Sequence, residues 1–173
     1  PLPAKDDSWT RDDLLDVAIN ATDKDQRIFG FLPVTGGYSE IRHTTLCFDG
    51  ELMSDDGTES LIDTENVKVG TRWLHDCFYK HGVAPLPMEQ TGGVGQMFLG
   101  QRLAMWQSGT WGLETMRSLV GDRFEWDMIL MPKGPTGNRG GHLHADGFAV
   151  MDQSEHKELA YEFCKMLTNE KYV

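Results

Sequence analysis

Short apolar runs alternate along this chain with segments of helical periodicity, and no other feature restricts its fold more. RIFGFL (27–32), RLAMW (102–106), EWDMILM (125–131) and GFAVM (147–151) have the length and apolar content of buried or half-buried strands. Residues 8–22, 38–48, 64–81, 93–99, 112–120 and 154–168 read as helices. Strands alternating with helices argue for an α/β layered domain. The first helix carries the clearest start signal. Thr10 can cap it, Asp13 stands three residues on as a capping-box partner, and Leu14, Leu15, Ala18 and Ile19 form an apolar face. Helix 64–81 has Thr64 as its cap and Gly82 as its stop, with Pro85 beyond. Ser154 is placed to cap the last helix.

The loops follow from turn chemistry. Asp49-Gly50 and Asp56-Gly57, flanked by extended residues, are hairpin signals. PKGPTGNRGG (132–141) reads as the loosest stretch. TGGVGQ (91–96) lacks the Lys-Ser/Thr of a phosphate-binding loop and follows no clear strand, so it reads as a glycine-rich helix start.

Charge and cysteine content exclude several classes of function. The net charge of −11, with no offsetting Lys/Arg cluster, repels a phosphate backbone. No apolar stretch approaches the roughly 20 residues of a membrane-spanning helix. Cys47, Cys77 and Cys164 are few, widely spaced and odd in number, which argues against a disulfide framework and for small core residues. No nucleophile–base pair is legible, and neither Ser108 nor Ser154 sits in a Gly-x-Ser-x-Gly elbow. One metal reading stands as an alternative. His142, His144 and Asp146 would share a face on a strand, with side chains that suit zinc in a metal-dependent hydrolase.

Three segments in order carry a family resemblance: SWTRDDLLDVAINAT (8–22), FLGQRLAMWQSGTWG (98–112), and MPKGPTGNRGGHLHADGFAVMDQSEHKELAYEFCKMLT (131–168). Together they resemble the extracellular solute-binding proteins of ABC importers, the family related to maltose-binding protein. The resemblance implies a periplasmic-binding-protein-like (type 2) lobe with a mixed β-sheet flanked by helices. It also implies a division into residues 1–145, the second-lobe α/β domain, and 146–173, a crossover strand and helix returning toward the first lobe. The implied function is non-catalytic capture of a small solute, a sugar or oligosaccharide, for ABC permease subunits. The implied location is extracytoplasmic in a bacterium, in the periplasm or anchored on the outer face of the cytoplasmic membrane. No cofactor is implied. A lone lobe would expose the surface that meets its missing half, which suggests a homodimer or a domain swap.

A clamp for neutral sugars needs flat aromatic faces and a few planar polar groups. Trp111 is the leading candidate, because it lies between Gly109 and Gly112 where a strand hands over to a helix. Tyr38 follows Gly36 and Gly37 in the region where the family holds another ligand aromatic, and Arg42 could fork two hydroxyls. Gly140 and Gly141 precede the return strand, where the family often presents ligand-facing backbone. The expected ligand set is therefore Trp111, Tyr38, Gly109, Gly37, Arg42 and Gly141. Trp9, Trp73, Trp106 and Trp126 are expected to belong to the core.

Overall fold

A computed structural model describes residues 8–34, 36–141, 143 and 145–169. It contains helices α1 (Arg11–Ala21), α2 (Tyr38–Leu46), α3 (Glu65–Tyr79), α4 (Val94–Leu99), α5 (Leu113–Val120) and α6 (Lys157–Leu167), with strands β1 (Phe29–Leu32) and β2 (Leu103–Trp106). The chain divides between residues 142 and 143 into two compact units.

In the first unit β1 and β2 pair in parallel, with Phe29 opposite Leu103, Phe31 opposite Met105 and Leu32 opposite Trp106. A parallel pair requires a long crossover, and here that crossover contains α2, α3 and α4. Every residue of β1 is buried, which matches its uninterrupted apolar sequence. Gly30 makes this close approach possible: a Cβ there would lie 1.9 Å from the Ala18 carbonyl oxygen of α1. Trp9, Leu14, Ala18, Phe31, Cys77 and Leu103 are among the residues of the core beside this sheet. Burial of a single large apolar side chain of this kind contributes about 1.5–3 kcal/mol.

The capping box of α1 forms as its sequence predicts, with Thr10 Oγ1 accepting from the Asp13 amide and Asp13 accepting from the Thr10 amide. Its apolar face is narrower than expected, because Ile19 is exposed while Arg11 is buried. α3 ends before Gly82, whose φ of +61° suits glycine. Thr64 caps α3 by position only, its hydroxyl donating instead to the Leu61 carbonyl.

Several expectations need correction. Asp56-Gly57 does close a turn, beside an antiparallel bridge between Met53 and Ser60. Asp49-Gly50 does not: it ends α2, with the Gly50 amide bonded to the Thr45 carbonyl at 2.9 Å. Residues 125–131 and 147–151 form no strand, and the observed sheet has two strands. Alternating apolar residues define faces, but a strand also needs a partner for its backbone. Leu130 and Phe148 remain largely exposed. In the second unit, α6 begins after His156, so Ser154 is not its cap; its hydroxyl accepts from the His156 amide at 3.2 Å. Cys164 on α6 is partly exposed and free, whereas Cys47 and Cys77 are buried and free. No helix among the described residues is long and apolar enough to cross a membrane.

Candidate functional site

β2 ends at Trp106, and the Gln107 amide still bonds the Leu32 carbonyl at 3.1 Å, so the sheet fixes the start of the next segment. Gly109 then stays extended, and a short 3₁₀ turn over Thr110–Gly112 leads into α5. This turn presents Trp111 to solvent with 83% of its surface accessible. The indole lies back over the turn: a Cβ at position 109 would be 2.4 Å from Trp111 Nε1. An exposed indole is unusual, because tryptophan is normally among the more buried residues. A flat apolar face with one N–H at its edge, carried on the turn that follows β2, is chemically suited to stack on the C–H face of a sugar.

Tyr38 and Arg42 both ride on α2. Gly37 caps this helix in an extended conformation without a side-chain bond. Tyr38 opens the first turn and is 55% exposed. Arg42 is already engaged: its Nε and Nη2 donate to the two carboxylate oxygens of Glu51 at 2.9 and 2.8 Å. Its fork is thus committed to a protein carboxylate.

Gly141 is exposed, and nothing would lie within 4 Å of a Cβ there. The stretch before it, expected to be loose, is fastened at many points. The Arg11 amide donates to the Lys133 carbonyl, and Asp49 Oδ1 accepts from Thr136 Oγ1 and from Asn138 Nδ2. The Gly140 amide donates to Cys47 Sγ at 3.0 Å.

The structure ties these pieces to α2. Gln107, two residues before Gly109, has its Nε2 3.4 Å from Nδ1 of His43 on α2. Cys47, immediately after α2, holds Gly140. The helix carrying Tyr38 and Arg42 is therefore bonded both to the segment leading to Trp111 and to the loop leading to Gly141. Sequence reasoning missed Gln107, Cys47 and Arg11 as members of this framework, since their roles arise from contacts distant in the chain.

Of the tryptophans expected in the core, Trp9 is 4% exposed, while Trp73, Trp106 and Trp126 are partly exposed. Phe98 meets Trp106, Phe124 and Trp126 edge-on. These rings line an open groove of about 1150 Å³ whose lining also includes Gln107, Gly109 and Gly112, but not Trp111. The buried Gln107 Oε1 has no hydrogen-bond partner among the described residues.

His142 and His144 of the metal reading lie outside the described residues. Among the described residues no group of three or more His, Cys, Asp or Glu side chains is arranged to hold a metal ion.

The family model described as bacterial extracellular solute-binding protein matches residues 2–173. Two solved structures share the fold. One is an ABC substrate-binding protein from Listeria monocytogenes in complex with cycloalternan, with a TM-score of 0.80 and 22% identity over 99% of this chain and 42% of that one. The other is an ABC transporter solute-binding protein from Thermotoga lettingae bound with α-D-tagatose, with a TM-score of 0.74 and 19% identity over 96% of this chain and 44% of that one. The chain thus spans less than half the length of either structure. No curated protein matches it in sequence.

Proposed function

Because this chain belongs to the family of bacterial extracellular solute-binding proteins, we propose that it supplies one lobe of a non-catalytic receptor. The receptor captures a sugar or oligosaccharide outside the cytoplasm and delivers it to the permease subunits of an ABC transporter. The expected periplasmic-binding-protein-like lobe agrees with both structural neighbours, which carry cycloalternan and α-D-tagatose. The observation that carries the reading is Trp111, an indole 83% exposed on a glycine-flanked turn that follows the end of β2.

The mechanism follows from elementary recognition chemistry. Trp111 covers an apolar face of the sugar ring, and Tyr38 offers a second aromatic surface with a hydroxyl. Glycine at positions 37, 109 and 141 lets solute hydroxyls approach the backbone closely. Arg42 contributes through the N–H groups that Glu51 leaves unused. A solute that bonds this lobe and a facing one favours the closed arrangement, because it contacts both lobes only there.

A thermal-shift screen of the whole-length protein against neutral sugars, including tagatose, maltotriose and cycloalternan, tests this reading. A true solute at 100 times its Kd adds about 2.7 kcal/mol of stability. A panel of mono- and oligosaccharides that leaves the melting temperature unmoved would remove the sugar assignment.

A further inference from the structure

Arg11 is 2% exposed, and no carboxylate among the described residues pairs with it. Its Nη2 donates to Cys47 Sγ at 3.0 Å, and its guanidinium carbon lies 4.7 Å over the Trp73 ring. Nε and Nη1 have no hydrogen-bond partner among the described residues. Such burial is costly for a cation, so it makes poor sense as a stabilising device alone.

The same sulfur accepts from the Gly140 amide at 3.0 Å. The loop between Lys133 and Gly140 seats directly on the end of α2. A Cβ at Gly134 would be 1.6 Å from the Cys47 carbonyl oxygen, and one at Gly140 would be 1.5 Å from that of His43. Arg11 reaches both ends of this loop. Its amide donates to the Lys133 carbonyl at 2.8 Å, and its guanidinium reaches Gly140 through the shared sulfur.

We infer that Arg11 and Cys47 are positioning residues that set the backbone at Gly140–Gly141 for the solute. The charged donor and the loop amide converge on one acceptor, so lifting the loop breaks the Gly140 bond to the sulfur that Arg11 holds from its other side. Neither residue touches the solute. The inference rests on the receptor reading above, but its test uses no solute, so failure of sugar binding and failure of the clamp are separately visible.

The test is hydrogen exchange of individual amides in the whole-length protein. Cys47→Ala removes the acceptor of both hydrogen bonds at the shared centre, and Arg11→Met removes one of the two donors. They should speed exchange at Gly140 by about tenfold, with the β1 amides unchanged. Cys47→Ser keeps an acceptor for both donors and should restore exchange to within about threefold of the native rate. Unchanged exchange at Gly140 in Arg11→Met, or an equal acceleration at Phe31 and Gly140, would overturn the inference. If the variants do not fold, the native protein still decides: alkylation of Cys47 must be no faster than opening of the Gly140 amide. Faster alkylation would mean the loop does not guard the sulfur.

Discussion

The Trp111 indole lies so close over Gly109 that a single methyl group at position 109 would stand 2.4 Å from its Nε1. The ring is free to swing because it is exposed. Gly109→Ala should therefore leave unfolding free energy within about 0.5 kcal/mol of the native value. It should weaken sugar binding about tenfold, equivalent to about 1.4 kcal/mol. Urea denaturation and a sugar titration of the same sample check the two halves together.

The neighbouring glycines separate seating from recognition. Gly134→Ala and Gly140→Ala each set a methyl against backbone carbonyl oxygen of the α2 end. Overpacking of this kind costs about 1–3 kcal/mol, which a shift in the urea midpoint measures. Gly141→Ala meets open space and should be close to neutral in stability while lowering sugar affinity. An equal loss of stability at positions 140 and 141 would contradict the described seating of the loop.

The three thiols should differ sharply. Cys164 is partly exposed, whereas Cys47 is 0% and Cys77 1% exposed. Burial pushes the Cys77 thiol up to about 12, so it stays protonated at mildly alkaline pH. Only the thiolate reacts. Iodoacetamide should modify Cys164 first in the native protein and all three cysteines once it is denatured, as intact-mass measurement would record.

Asp13 gives α1 a defined pH dependence. The Thr10 hydroxyl and then the Thr10 amide bond its carboxylate and hold its pKa below the ordinary value. Its stabilising contribution is fully present above the usual carboxylate pKa and is lost as pH falls through the lowered folded value. The difference in melting temperature between the native protein and Asp13→Ala should therefore shrink as the solution is acidified. A difference constant down to strongly acid pH would contradict the capping role.

Local signals were the legible part of this fold. Thr10 and Asp13 specify a capping box within four consecutive positions, and the box forms. FGFL is apolar throughout, and β1 is buried throughout. Asp49-Gly50 was misread because a helix end and a hairpin both favour a residue with positive φ. Asp49 adopts φ +57° while closing α2. Residues 125–131 carry strand composition, but nothing local says what a strand pairs with. In the candidate site, the glycine-flanked turn that exposes Trp111 was legible from its neighbours, while the indole's role toward a solute stands as a proposal. Engagement of Arg42 by Glu51 and the convergence of Arg11 and Gly140 on Cys47 were not. Those contacts span 9, 36 and 93 positions, beyond the range of any local pattern.

Calorimetric titration of the whole-length protein and its Trp111→Ala variant, with the sugar that gives the largest thermal shift, tests the central claim most directly. The variant should keep its native melting temperature and lose about tenfold or more in affinity. Unaltered affinity in a fully folded variant would mean that the exposed indole does not receive the solute.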